Sequence, residues 1–305
     1  MLQSEAKVIG LILTSITFAL TIFAMIISSA VLIALIYQWY HNRIKQDDKI
    51  AIYLCIHIYL CMLLVAAITL SMNMRTLLGD LTGQSFDSLW CIFSGYLVLI
   101  HISAMYMAFV NQAFYRLIRI VYPRYRCFQS LKFYTALFIT EYLCANGIQC
   151  AIIAWDGVIY LIDDHFCYVS FTNLRAVIWA GSFVYLLPCL FTTMVYSRIT
   201  IFLRNQTNTL ILAIRQRQGR DFSIVRRILM MIIFLIALGI PAMFFILRFV
   251  ITGNYYPLTA RIIWLSVATS TAGLNVASVY CIPQVKSTIR KVFQQHRVIV
   301  ANAAI

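Results

Sequence analysis

Charged residues are scarce in this sequence. Asp, Glu, Lys and Arg together make up 11% of its 305 residues, while hydrophobic residues make up 62%. Soluble domains carry about 25% charged and roughly 45–50% apolar residues. A chain with so little charge cannot cover a water-exposed surface, so the composition predicts an integral membrane protein.

Polar stretches long enough for a separate soluble domain are lacking as well. Seven apolar runs are long enough to cross about 30 Å of hydrocarbon as helices of roughly 20 residues. They cover residues 10–37, 51–73, 91–116, 133–155, 177–203, 228–251 and 262–282. Barrel strands would instead alternate in segments of about ten residues. We therefore expect an all-α membrane protein with a seven-transmembrane helix bundle.

A cleavable signal is not expected at the first run. This run is about twice as long as the apolar core of a signal peptide and ends in "YQWYHNR", without a small-residue cleavage site. We expect it to remain in the mature chain as the first membrane span.

Positive charge is unevenly distributed between the two sides of the predicted bundle. The connections 38–50, 116–132, 198–227 and the segment after residue 281 hold 19 Lys and Arg, whereas the opposite side holds 5. Cytoplasmic loops retain positive charge, so the N-terminus is expected outside. The basic inner surface suits anionic lipid head groups and does not imply nucleic acid.

Few of the nine cysteines lie where a disulfide would persist. On this topology only Cys91 and Cys167 face the oxidising outer side, the first at the start of the third run and the second in the loop after the fourth. We expect a bridge that holds this loop over the mouth of the bundle. The alternative is that both are small buried hydrophobic residues.

The third run ends in a charge: Arg116 lies between Tyr115 and Leu117, and "IRIVYP" follows up to Pro123. Cys91 and Arg116 are 25 residues apart, about 37 Å of helix, which crosses the bilayer. With seven helices and an outer bridge, the chain resembles a rhodopsin-like (class A) G-protein-coupled receptor. The third span of that family ends in Asp/Glu-Arg-Tyr, of which the arginine is present here.

Further matches occur at the spacings of that family. Pro188 is followed eight residues later by Tyr196, as in the fifth span. Pro241 matches the proline of the sixth-span CWxP motif, although Leu and Gly239 replace its Cys and Trp. Tyr280 matches the tyrosine of NPxxY, although Val and Ala replace its Asn and Pro. The resemblance is to a divergent member.

The resemblance implies an organisation and partners. Residues 1–9 would form an extracellular N-terminus, 10–282 a seven-helix receptor domain, and 283–305 a cytoplasmic amphipathic eighth helix and tail, since apolar residues alternate there with Lys and Arg. The receptor would lie in the plasma membrane, bind an extracellular ligand and act on a heterotrimeric G protein, without a cofactor.

The resemblance also implies an activation switch. Asp221 lies 20 residues before Pro241, where many members place an acid. We expect Arg116 and Asp221 to form an ion pair in the resting state. Once the arginine is released, Tyr196 and Tyr280 would form hydrogen bonds near it. The alternatives are that Arg116 is simply the first basic residue of a loop and that both tyrosines are interfacial aromatics.

Two ligand classes are excluded by missing residues. Amine receptors carry an aspartate 18 residues before the arginine, and Val98 occupies that position. No lysine between Lys132 and Lys286 is available for a retinal Schiff base. The expected ligand region comprises Tyr96, Val98, Asp163, Asp164, Tyr185 and Trp264. Carboxylates beside aromatic residues favour a cationic peptide or another small ligand; the alternative is a solvated acidic loop and an aromatic belt.

Other classes of membrane protein remain as alternatives. A transporter or channel needs a polar path at mid-membrane, for which the sequence offers His57, His101, Glu141 and Asn146. A membrane hydrolase needs clustered metal ligands, but the five histidines are scattered along the chain. We therefore expect no metal site and no enzyme activity.

Overall fold

A computed structural model describes residues 2–41, 46–207, 239–253 and 256–281, together with positions 233 and 236. The helices are α1 (Leu2–His41), α2 (Gln46–Thr82), α3 (Leu89–Val121), α4 (Leu131–Ala154), α5 (continuous segments Leu174–Ala180, Gly181–Leu186 and Leu187–Thr207), α6 (Gly239–Thr252) and α7 (Thr259–Cys281). All except α6 are long and apolar enough, within the described residues, to cross a membrane. The chain is an all-α, multi-pass membrane protein.

Six of the seven predicted runs correspond to the membrane-length helices. The remaining run, 228–251, is described chiefly from residue 239 onward as α6, and most of its beginning lies outside the described residues. The expected eighth helix at 283–305 also lies outside them, as does Asp221.

Helix α3 lies at the centre of the described bundle, where it contacts α2, α4 and α5. In its most apolar window 72% of the residues are buried, compared with 22% for α4 and 33% for α1. The outer helices expose large apolar side chains such as Ile26 and Ile33 of α1 and Leu143 of α4. An exposed apolar surface of this extent requires an apolar surrounding, which the bilayer supplies.

Helix α5 changes its winding before a proline. Pro188 has no backbone N–H, so the carbonyl of Val184 four residues earlier loses its usual helical donor. The segment Gly181–Leu186 forms a π-helical turn here, and the Leu187 N–H donates to the carbonyl of Ser182, five residues back. Such turns shift the side chains that follow and frequently occur at functional sites.

The loop after α4 contains a feature that the sequence analysis did not predict, a two-stranded antiparallel hairpin. Strand β1 (Val158–Leu161) pairs with β2 (Phe166–Val169), with Tyr160 opposite Cys167. Both strands consist mainly of β-branched and aromatic residues, which favour extended backbone. His165 has a φ of 57° and closes the turn.

The predicted disulfide is present between Cys91 and Cys167 and joins β2 to the first turn of α3. The hairpin also packs directly on the α3 backbone, because a Cβ added at Gly95 would lie 2.5 Å from the carbonyl oxygen of Cys167. We call this end of the bundle the disulfide end. The opposite end, where Arg116 lies, is the arginine end.

Candidate functional site

An apolar cavity of about 130 Å³ lies beside the hairpin at the disulfide end. Each of the described residues that line it is apolar, a glycine or a tyrosine. Representative lining residues are Leu99 of α3, Val169 of β2, Val184 of α5, Met243 of α6 and Val267 of α7. An apolar cavity of about 150 Å³ is enough to bind benzene. This cavity therefore suits an uncharged molecule of about one ring.

Tyr185 closes one side of the cavity. Its ring packs against Gly239 of α6, where an added Cβ would come within 2.1 Å of the ring. Its hydroxyl donates to the carbonyl of Ile236 at 2.8 Å, and Tyr106 of α3 meets it edge-on, with ring centroids 5.7 Å apart. Tyr185 thus links α3 and α5 to α6 and to the helical position Ile236 that precedes it.

Aromatic residues connect the hairpin to α7. Trp264 of α7 lies 5.1 Å from the ring of Tyr168, which lines the cavity, and 6.2 Å from the ring of Phe166. Trp264 is buried and belongs to the main core cluster. Its contribution is to hold β2 against the bundle.

An arginine at the start of α7 fixes the hairpin turn. Arg261 donates from Nη1 and Nη2 to the two carboxylate oxygens of Asp80 on α2, at 2.7 and 2.9 Å. Its Nε donates to Asp164 at 3.1 Å and its Nη2 to the carbonyl of Asp163 at 2.8 Å, while Nη1 lies 3.4 Å from the Thr14 hydroxyl of α1. Two-point arginine–carboxylate pairs combine strength with a fixed geometry.

Asp164 is engaged in this arrangement and is almost completely buried, at 1% exposure. Its backbone carbonyl accepts from the Thr76 hydroxyl at 2.7 Å. Burial raises the pKa of its carboxyl group to about 6, although the neighbouring Arg261 acts in the opposite direction. The carboxylate of Asp164 is occupied by Arg261, whereas Asp163 keeps an exposed side chain.

The structure separates the other residues predicted to bind a ligand. Tyr96 turns toward α4, where its hydroxyl donates to the carbonyl of Asn146 at 2.9 Å. Val98 is fully buried in the core. Of the six predicted residues, Tyr185 alone lines the cavity.

Sequence reasoning missed Tyr106, Tyr168 and Gly239, which all line the cavity. The available signal was Gly239 itself, since a glycine replaces the large tryptophan of the family motif and leaves space beside it. Nothing comparable in the sequence marks the two tyrosines.

Arg116 lies at the opposite end of α3. Its side chain is half-buried, and its guanidinium acts electrostatically on the Tyr196 hydroxyl of α5 and the Cys55 thiol of α2. Its Nη1 is buried and has no hydrogen-bond partner among the described residues. Buried polar atoms are usually hydrogen-bonded, so this nitrogen is available to pair with an acceptor outside the described residues.

The remaining predicted switch residues are described only in part. Pro188 follows the π-helical turn of α5, and Pro241 lies within the described part of α6. Tyr280 lies in the last turn of α7, and its side chain is outside the described part of the chain, so its expected contact with Arg116 stays a prediction.

Within the described ranges, no group of three or more His, Cys, Asp or Glu side chains is close enough to hold a metal ion. Neither a family model nor a curated protein sequence matches this chain. A function is therefore proposed from the residues and their geometry.

Proposed function

We propose that this chain is a rhodopsin-like G-protein-coupled receptor of the plasma membrane, with seven spans and an extracellular N-terminus, which transmits ligand binding to a heterotrimeric G protein. The observation that carries the proposal is the arrangement along α3. One end of this central helix adjoins a disulfide-tied hairpin and an apolar cavity, and the other carries Arg116, whose Nη1 has no hydrogen-bond partner in the described part of the chain.

Two independent features support the orientation. A disulfide persists on an oxidising side of the membrane, and the Cys91–Cys167 bond lies at the end opposite Arg116. The Lys and Arg residues concentrate in the connections at the arginine end, as cytoplasmic loops do.

The cavity supports a small uncharged ligand better than a cationic peptide. None of the described residues that line it is charged, and its volume of about 130 Å³ is below the roughly 300–1,000 Å³ of pockets for larger ligands. Asp164, which would attract a cationic peptide, already pairs with Arg261. Apolar burial would supply most of the binding free energy, and tyrosine hydroxyls would orient the molecule.

Ligand binding would act on α6 through Tyr185. This residue lines the cavity, packs on Gly239 of α6 and donates to the backbone carbonyl of Ile236, so a molecule that displaces its ring changes the contact between α5 and this helical region. Movement there would separate Asp221 from Arg116 and free the arginine for the G protein. Switches of this kind require only a few kcal/mol between the two states.

Guanine-nucleotide exchange on a panel of G proteins, measured in membranes that contain the full chain, tests the function. A library of small uncharged aromatic and aliphatic molecules is expected to contain activators. Asp221→Asn is expected to raise the nucleotide exchange that occurs without ligand. Arg116→Leu is expected to abolish nucleotide exchange altogether. Lys132→Gln, an exposed basic change at the start of α4, is the matched control and should exchange normally. Equal exchange by Arg116→Leu and the control would refute the proposed coupling.

A transporter or channel is the second candidate, and a buried polar pair between α2 and α4, His57 and Glu141, is the observation that favours it. Flux of protons or other ions into vesicles that contain the purified chain distinguishes the two. Flux without nucleotide exchange favours the transporter, and exchange without flux favours the receptor.

A further inference from the structure

A second polar site lies within the membrane-spanning helices, away from both the cavity and Arg116. Glu141 of α4 faces Asn111 of α3 and His57 of α2. The side chains of His57 and Glu141 are only 3% and 2% exposed. Ionisable side chains at this depth are costly unless they are paired or neutral, which makes them functional candidates.

One oxygen of the Glu141 carboxyl group accepts a hydrogen bond, and the other does not among the described residues. Asn111 donates from Nδ2 to Oε2 of Glu141 at 2.7 Å. The other oxygen, Oε1, lies 3.8 Å from Nε2 of His57, and both atoms are buried without a hydrogen-bond partner among the residues that the structure describes. Buried polar atoms are normally hydrogen-bonded, so two unsatisfied atoms that face each other at this distance require an explanation.

We propose that His57 and Glu141 form a proton-binding site inside the membrane domain, with one proton shared between Glu141 Oε1 and His57 Nε2. When the proton binds, it forms an O–H group at Glu141 Oε1, and this hydroxyl donates a hydrogen bond to Nε2 of the neutral His57 imidazole. A side-chain rotation that brings the two atoms to about 2.8 Å completes this bond. When the proton leaves to water, an uncompensated carboxylate faces the lone pair of a neutral imidazole.

The surrounding groups favour the neutral, protonated pair over a separated ion pair. Besides His57, α2 presents Cys61, whose thiol lies 3.5 Å from the hydroxyl of Tyr142 on α4. Helix α3 presents Asn111, and its His101 approaches the Tyr142 ring at 6.1 Å. Phe138 covers one edge of the His57 ring. None of these groups carries a fixed positive charge that would stabilise an anionic Glu141.

The proton would control how α4 attaches to the bundle. Of the helix's 24 residues only five are buried, and Glu141 is the one that reaches both α2 and α3 through polar groups. Loss of the proton replaces an attractive contact by a buried, unpaired charge. We expect the packing of α4 on α2 to weaken as the pH rises through the titration range of the pair.

Infrared spectroscopy of the purified full chain in lipid nanodiscs tests the site independently of any ligand or G protein. At pH 7.5 the wild type is expected to show the carbonyl band of a protonated carboxyl group, which shifts in heavy water and disappears at high pH. Glu141→Gln, which keeps the bond from Asn111 and mimics the protonated form, should lack the band. Asp164→Asn, a change at the other deeply buried carboxyl group, is the matched control and should keep it.

A third variant tests whether the imidazole shares the proton. In His57→Leu the O–H loses its acceptor, so the band is expected to move in frequency. A wild type without the band, a band that survives in Glu141→Gln, or an unchanged band in His57→Leu would each overturn the proposal. If Glu141→Gln does not fold, the pH dependence of the wild-type band and its shift in His57→Leu decide.

Discussion

At the scale of single residues, Arg261 is the most connected side chain of the disulfide end. Its guanidinium bonds to α1, to α2 and to the hairpin turn while its backbone belongs to α7. The two carboxylates it neutralises, Asp80 and Asp164, are 19% and 1% exposed. Removing one partner of such a buried pair leaves the other charge uncompensated, which costs more than the contact itself contributes.

Arg261→Leu is therefore expected to destabilise the protein by about 3 kcal/mol, because the buried Asp164 and the partly buried Asp80 both lose the guanidinium that compensates their charge. Arg261→Lys should recover part of this loss, since an ammonium keeps the charge but lacks the two-point geometry. Thermal unfolding of the detergent-purified chain measures both. Arg175→Leu, at an exposed position of the same end, is the control, and a loss of equal size there would contradict the interpretation.

Asp164 makes the folding stability of the protein depend on pH, and the direction of this dependence follows from its raised pKa. Burial raises the pKa of its carboxyl group in the folded chain to about 6, above the value of the unfolded chain, so folding favours the neutral form. Its contribution to stability is fully present below the unfolded pKa and is lost as the pH rises through about 6.

Between about pH 4 and pH 6 the melting temperature of the wild type should fall as the pH rises, and Asp164→Asn should lack this part of the decrease. Calorimetry across that range measures it. A wild type and variant with the same slope would show that attraction to Arg261 outweighs burial.

At the scale of elements, the hairpin and the π-helical turn of α5 shape the cavity. The hairpin lies against α3 through the Cys91–Cys167 bond and through Gly95, where the carbonyl of Cys167 would be 2.5 Å from an added Cβ. A backbone atom cannot rotate away as a side chain does, so the close approach requires glycine.

Gly95→Ala is expected to push the hairpin off α3 and to destabilise the protein by roughly 1–3 kcal/mol, the usual cost of overpacking. Gly147→Ala in α4 is the matched control, because no atom lies within 4 Å of its added Cβ. That change should stabilise by about 0.5–1 kcal/mol through helix propensity. Opposite signs in thermal unfolding support the close packing, whereas two stabilising changes would contradict it.

At the scale of the whole molecule, the two ends of the bundle differ in chemistry. The disulfide end carries the hairpin and the Arg261 contacts, and the arginine end carries Arg116 and the exposed Cys127 in the loop between α3 and α4. The proposed topology puts Cys127 in the cytoplasm and the N-terminus outside.

In intact cells a membrane-impermeant thiol reagent is expected to leave Cys127 unlabelled, while an antibody binds an epitope tag at the N-terminus. Permeabilisation should make Cys127 accessible to the reagent. The decrease in labelling between the wild type and Cys127→Ser measures how much of the bound reagent is on Cys127. Labelling of Cys127 before permeabilisation, or a tag reached only after it, would reverse the topology and remove the basis of the receptor proposal.

The hairpin marks the limit of prediction for the elements. Val158–Leu161 and Phe166–Val169 are short, and each alone is compatible with a loop, a strand or a buried segment. Their pairing depends on Cys167 being held at α3, which is a tertiary constraint. The helices were predictable because a membrane crossing requires a long continuous apolar run.

Composition and charge pattern were enough to predict a multi-pass helical membrane protein and to favour Cys91 and Cys167 as the bonded pair. Both conclusions depend on local composition and on which side of the membrane a loop faces, and both can be read along the chain without knowing how the helices pack. Three-dimensional packing was needed to show that Arg261 meets Asp80, 181 residues away, that Tyr185 packs on Gly239, and that an apolar cavity lies beside the hairpin. In a membrane both the lipid and the core are apolar, so hydrophobicity does not distinguish the faces of a helix, and packing alone selects its partners.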